Sequence, residues 1–212
     1  MADDSLRTWE TLFQRALELI DSVTLMGATD WSFGGGTVLM RRHRHRVSKD
    51  VDIFIGDPQY LGFLTPRLND KVETFTTDYI EQAGFLKLVF PEGEIDFVVA
   101  GPLTPNPYVA ETLFGRDVQV ESSTEIIAKK IWHRGPEFTA RDIFDLALIS
   151  ETEPEALHEI RPILRGRREV ILQRIAAHKA SMRETFAELE ILDYKRTFDE
   201  CVTTVQNCLE SA

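Results

Sequence analysis

Apolar residues recur at helical spacing from the start of the chain. Leu6, Trp9, Leu12, Phe13, Ala16, Leu17, Ile20 and Val23 share one face of a helix over residues 6–26, a stripe wide enough to pack against a core. Gly27 is placed to end that helix, and Trp31-Ser32-Phe33 supplies a short strand. The period then changes to two. Val51, Ile53 and Ile55 fall on one strand face while Asp50 and Asp52 fall on the other. After Gly56-Asp57-Pro58, residues 60–70 mix apolar and turn-forming types and predict short helices. Residues 85–90 and 94–99 are apolar runs either side of Pro91-Glu92-Gly93, the pattern of a hairpin. Its second strand repeats the alternation, with Ile95, Phe97 and Val99 opposite Glu94, Asp96 and Val98. A three-proline loop at residues 101–107 separates this half from the remainder of the chain. From Ser123 the pattern is helical, with Ser122, Ser123 and Thr124 available as N-caps. Pro154 and Pro162 sit near helix starts, and Ile171, Ile175, Ala176, Phe186 and Leu189 are core candidates.

Two features in the first half carry chemistry. Asp50 and Asp52 point the same way about 7 Å apart on a strand face, where like charges repel and a divalent cation such as magnesium turns that cost into binding. Upstream, Gly34-Gly35-Gly36 lets the backbone approach a ligand closely, and Thr37 can cap a helix begun by Val38, Leu39 and Met40. The N-terminus of such a helix binds phosphate. Each feature also has a plain structural reading, an ordinary turn and a solvated strand edge. The combination, with Arg46 and Ser48 just ahead of the aspartates, favours a nucleotide site.

Gly35-Gly36-Thr37, Leu39 and His45-Arg46-x-Ser48-x-Asp50-x-Asp52-x-Phe54 resemble the first motif of the AbiEii/AbiGii nucleotidyltransferase toxins, members of the DNA polymerase beta-like superfamily. Glu125-Ile126-Ile127-Ala128-Lys129-Lys130-Ile131 resembles the family's lysine motif, and Arg141-Asp142-x-x-Asp145-Leu146 its last motif. The resemblance covers most of residues 31–149. It implies an α+β (α/β) protein, with a polymerase beta-like catalytic lobe containing a mixed sheet over residues 1–120 and a helical lobe over 121–212. It also implies transfer of a nucleoside monophosphate from an NTP to a hydroxyl of RNA (tRNA) or protein, with two Mg2+ ions held by Asp50, Asp52 and Asp96. Asp96 is the position similar to the third carboxylate that acts on the attacking hydroxyl, with Glu94 in reserve. Gly35, Gly36, Thr37, Arg46 and Ser48 are the expected phosphate-binding residues. Lys130, which projects from the apolar stripe while Lys129 points more towards solvent, is expected to serve phosphates, and Asp142 to be the active acid of the helical lobe. Asp145 is left to brace the bundle. The resemblance further implies a toxin role in a toxin–antitoxin or phage-defence system, often with a separately encoded antitoxin. A binding module without chemistry and a small-molecule, aminoglycoside-type nucleotidyltransferase stand as alternatives.

Composition limits these readings without replacing them. At 212 residues with 43% apolar and 28% charged residues, the chain can bury a core without disulfides. Cys201 and Cys208 read as reduced core thiols. Met-Ala-Asp-Asp-Ser lacks the basic start of a signal peptide and no apolar run spans a bilayer, so a cytoplasmic protein is expected. A net charge of -11 argues against broad nucleic-acid binding, although Arg41, Arg42, Arg44 and Arg46, and again Arg161, Arg165, Arg167 and Arg168, form local basic clusters. His43-x-His45 has no partner spacing for zinc, and His45 is expected to orient the turn or touch phosphate. Tyr194, Lys195 and Arg196 read as a solvated helix face.

Overall fold

The computed structural model describes residues 6–212; the Met-Ala-Asp-Asp-Ser start, read above as no signal peptide, lies outside the described residues. The chain divides into two compact units. The boundary is not one cut near residue 120. Residues 39–47 and 102–107 belong with the helices from 122 onward, and 48–101 and 108–121 belong with the chain's beginning.

The first unit is built on a seven-stranded sheet. Its elements are α1 (Thr8–Ser22), β1 (Trp31–Gly34), the first residues of α2 (Gly35–His43), β2 (Val51–Ile55), α3 (Gln59–Leu64), α4 (Asp70–Phe75), β3 (Tyr79–Gln82), β4 (Phe85–Phe90), β5 (Gly93–Val99), β6 (Tyr108–Leu113) and β7 (Arg116–Glu121). The strand order is β3-β4-β5-β2-β1-β7-β6. β2 pairs with β5, and β1 with β7, in parallel; the other neighbours are antiparallel, which makes the sheet mixed. α1 packs on β5 and β2 through its apolar stripe. Phe13 and Phe33, both fully buried, meet with ring centroids 4.5 Å apart and are joined by Trp9 and Phe114. Each fully buried ring among them contributes about 1.5–3 kcal/mol by leaving water. Val51, Ile53, Ile55, Ile95 and Phe97 are all fully buried, so the alternation fixes which faces of β2 and β5 carry acids.

Several boundaries differ from expectation. α1 stops at Ser22, five residues before Gly27, because Val23 already turns to an extended conformation. The proline loop is followed by a return to the sheet, the β6–β7 hairpin, which the pattern did not reveal; β3 was also unforeseen.

The second unit is helical, apart from an extended strip. It holds the rest of α2, α5 (Ser123–Arg134), a 3-10 turn (Gly135–Glu137), α6 (Ala140–Thr152), α7 (Pro154–Glu159), α8 (Arg161–Ala187) and α9 (Phe198–Glu210). Ser122 caps α5 by accepting the amide of Glu125 at 3.1 Å, and Thr139 with Asp142 forms a capping box on α6. α8 carries a non-helical residue, His178, in its interior. Of the core candidates on and after it, Ile171, Ile175 and Phe186 are buried with Leu164 and Met182, whereas Ala176 is exposed and Leu189 half-buried. Residues 44–47 run antiparallel to 190–193, with main-chain bonds from Val47 to Glu190, Leu192 to His45 and Asp193 to Arg44. Tyr194, Lys195 and Arg196 therefore follow an extended strip and lie outside any helix. Cys201 and Cys208 are free thiols; burial raises both, Cys201 to about 12. Among the described residues no helix is long and apolar enough to cross a membrane.

Candidate active site

The first unit gathers the glycine turn and three aspartates at one end of β1, β2 and β5. Gly35 has φ +72, a left-handed conformation that favours glycine. Its Cα also lies against the carboxylate of Asp52, so a Cβ would collide with that group, and one on Gly34 would collide with Glu121 and Phe54. The glycines are thus required by close approach as well as by the turn. Gly35 and Gly36 open α2, where main-chain amides lack helical partners and favour anions. Thr37 is not the cap expected of it. It is the third residue of the helix, fully buried, and its hydroxyl donates to the main-chain oxygen of Asp50 at 2.5 Å, fastening the turn to the start of β2. Ser48 lies half-buried in the connection before that strand.

Asp50 immediately precedes β2, and its Oδ1 accepts the amide of Glu94 at 3.2 Å. Asp52 sits opposite Asp96 in the parallel β2–β5 register. Asp96 carries an electrostatic burden: burial, and then the negative charge of Asp52, push its carboxyl up to about 7, against the opposing pull of Lys87. Lys87, on β4 across from Asp96, approaches Asp96 Oδ2 at 3.3 Å and is ion-paired with Glu94. Asp96 Oδ1 is shut off from solvent and accepts no hydrogen bond among the described residues.

This donor set fits a hard divalent cation. Adjacent carboxylates and an orphaned buried oxygen are what such an ion satisfies. Among the described residues no three acidic, histidine or cysteine side chains form a complete metal cage. Magnesium does not require one, since it binds through one or two carboxylates, waters and substrate phosphates.

The second unit buries a separate cluster of charge. Arg46, expected at phosphate, is 3% exposed, and its guanidinium grips Asp145 through Nε and Nη2, both at 2.8 Å. That bidentate pair engages two of its nitrogens with Asp145, and Nη1 donates to the main-chain oxygen of Val47 at 3.3 Å. His45, expected to orient the turn or touch phosphate, is also fully buried and bonds Asp145 Oδ1 through Nε2 at 2.8 Å. Burial lowers the His45 pKa despite Asp145, so the neutral imidazole donates from Nε2. Lys130 Nζ stands 2.9 Å from Asp142 and 3.1 Å from Asp145, whose charges raise its pKa against burial. Burial alone would raise Asp142 and Asp145; the cations Lys130 and Arg134 for the first, Arg46 and Lys130 for the second, reverse the sign and hold both carboxyls low. Asp142 also accepts the Thr139 amide and hydroxyl, so one carboxylate caps α6 and holds Lys130. Lys129 does not face solvent as expected: it is 4% exposed and lies 3.4 Å from the buried Glu125.

Three residues escaped the reading of the sequence. Lys87 could have been found, because counting back across the Pro91-Glu92 turn sets it opposite Asp96. Glu121, fully buried at the end of β7 and bonded by Ser32 Oγ at 3.1 Å, follows a strand whose pattern gave no warning. Glu125 accepts the amides of Leu103 and Thr104 and the Thr104 hydroxyl, a loop-to-helix bond with no local signal.

Comparison with known proteins adds a family to this geometry. The family described as "Nucleotidyl transferase AbiEii toxin, Type IV TA system" matches residues 25–210. Among solved structures, the nucleotidyltransferase toxin MenT4 from Mycobacterium tuberculosis is 16% identical, with TM-score 0.54, over 97% of this chain and 82% of that one. JHP933 from Helicobacter pylori is 13% identical with TM-score 0.52, over 95% of this chain and 90% of that one. The antibiotic-resistance factor ANT(2'')-Ia is 17% identical with TM-score 0.54, over 80% of this chain and 97% of that one. At these identities the three share the fold. No curated protein matches closely enough to count as a relative.

Proposed function

We propose, from the premise that this chain belongs to the AbiEii nucleotidyl transferase toxin family, that it is a magnesium-dependent enzyme transferring a nucleoside monophosphate from an NTP to a hydroxyl of RNA, tRNA foremost, or of protein. The observation that carries the reading is the Asp52–Asp96 pair, in register beside the Gly35 turn, with the buried Oδ1 of Asp96 lacking any partner among the described residues. Magnesium held by Asp50, Asp52 and Asp96 would neutralise charge at the triphosphate as pyrophosphate departs. The amides of Gly35 and Gly36 would cradle phosphate oxygens at the start of α2, with Ser48 beside them.

Asp96 accepts the proton of the attacking hydroxyl in this reading. Its carboxyl, raised to about 7 by burial and then by Asp52, would be held ionised by the cation it binds. Lys87 holds the Asp96 side chain in place through Oδ2. Thr37 positions Asp50 through the main chain. In the second unit, Lys130 is the cation assigned to nucleotide, since its side chain keeps 12% exposure while that of Arg46 keeps 4%. Asp142 orients it. A separately encoded antitoxin is the partner expected of a type IV system.

The test is incubation with Mg2+, each of four α-labelled NTPs, and either total tRNA or a cell extract, beside Asp50→Asn. Label entering RNA or protein with wild type only supports the reading and identifies base and acceptor. Labelling that persists in Asp50→Asn removes the aspartate assignment. Magnesium-independent NTP stabilisation without transfer would favour a binding module.

A further inference from the structure

Several exposed arginines of this acidic chain are matched with carboxylates, as in Arg67–Glu81, Arg183–Asp199 and Arg196–Glu151, while Arg141 stands alone without one among the described residues. The first two turns of α8 gather several that are not so matched. Arg161, Arg167 and Arg168 have no hydrogen bond or ion pair among the described residues, and Arg165 donates only to the main-chain oxygen of Ala212. Arg161, Arg165 and Arg168 are exposed at helix positions i, i+4 and i+7, so like charges stack along one face, an arrangement that destabilises a helix. The flanking acids do not relieve it: Glu159 forms no ion pair with them, and Glu169 accepts from Gln173.

Arg167 points from the same two turns to another feature. Its guanidinium lies over the ring of Trp132, 4.7 Å from the centroid, and its Nε is shut off from solvent with no acceptor. Trp132, near the end of α5, is 44% exposed. Next to it, His133 is pushed below its ordinary value by burial and then by the positive charges of Lys129 and Arg167, against the pull of Glu125.

We infer that Trp132 and the arginines of α8 form a binding surface for single-stranded RNA, with an unpaired base stacking at Trp132 and Arg167 and phosphates meeting Arg161, Arg165 and Arg168. Aromatic faces accept any base, and guanidinium groups both stack and grip phosphate in a bidentate manner. An acidic peptide would engage the arginines but has no use for an exposed indole already faced by a guanidinium. The choice of RNA among polyanions rests on the RNA-acceptor reading above.

The test is fluorescence anisotropy of an end-labelled single-stranded RNA of about a dozen nucleotides, with the full chain and without NTP or magnesium. Trp132→Ala is expected to weaken binding by about 5- to 150-fold, and Trp132→Phe to restore most of it, a rescue that loss of charge or of folding would not give. Replacing Arg161, Arg165 and Arg168 with Gln should make the log–log salt dependence shallower by about two. Binding indifferent to all of these variants, or tighter to the duplex of the same sequence or to polyglutamate, overturns the inference. Transfer assays on the same proteins separate it from the acceptor reading. RNA bound here but never labelled upholds the surface and removes RNA as acceptor, whereas RNA labelled and bound equally by wild type and Trp132→Ala removes the surface and keeps RNA as acceptor.

Discussion

Asp145→Asn is expected to be one of the most damaging single substitutions in the second unit, and the reason is electrostatic. The fully buried carboxylate takes two bonds from Arg46 and one from His45, and stands 3.1 Å from Lys130. An amide in its place leaves Arg46 and Lys130 positive with Asp142 as the remaining negative group of the cluster. Breaking a buried ion pair in this way costs about 3–5 kcal/mol, a large share of a total stability of about 5–15 kcal/mol. At about 2–4 °C per kcal/mol for a chain of this size, the melting temperature should fall by about 6–20 °C. Urea unfolding followed by circular dichroism measures the loss directly. The control is Arg46→Met combined with Asp145→Leu, which removes both charges and their desolvation penalty and should recover most of the stability. A loss below about 1 kcal/mol in Asp145→Asn, or a double variant as unstable as the two single changes summed, would refute the account of this cluster.

Two titrations follow from the same structure. His45 has its pKa lowered by burial, so the unfolded chain takes up its proton first and stability should fall as pH drops from about 6.5 towards the folded value; His45→Gln, compared by melting at pH 7.5 and 5.5, should lose that part of the slope. Asp96, raised to about 7, must lose its proton to bind a cation. Magnesium or manganese affinity measured by calorimetry should therefore weaken about tenfold from pH 8 to pH 6, and an affinity flat over that range would remove Asp96 from the metal site.

Much of the first unit was legible because its signals are local. The alternation around Asp52 and Asp96 announced two half-buried strands, and the Gly-Gly-Gly run announced a turn. The pairing of β2 with β5 could not be read, since a parallel register between segments more than forty residues apart leaves no trace in either. The β6–β7 hairpin was missed for a physical reason. Its turn is Phe114-Gly115, both with positive φ, in place of the Asn-Gly that marks such turns, and β6 is an exposed edge whose faces do not differ in polarity. In the second unit, apolar phase drew attention to Lys130 but misjudged Lys129, which is buried beside Glu125 one helical turn away. Sequence places His45 beside the glycine turn and Arg46 just ahead of the aspartates, while their partner Asp145 lies about a hundred residues on.

In the proposed function Asp96, disfavoured as an anion by burial and by Asp52, is the reacting carboxylate. Transfer of α-labelled nucleotide by Asp96→Asn at pH 8, with thermal unfolding recorded on the same preparation, tests it most directly. Transfer should fall by at least about a hundredfold, the scale of a lost general base, while the melting temperature holds or rises because a disfavoured buried charge is gone. Transfer that survives in a folded Asp96→Asn protein would contradict it.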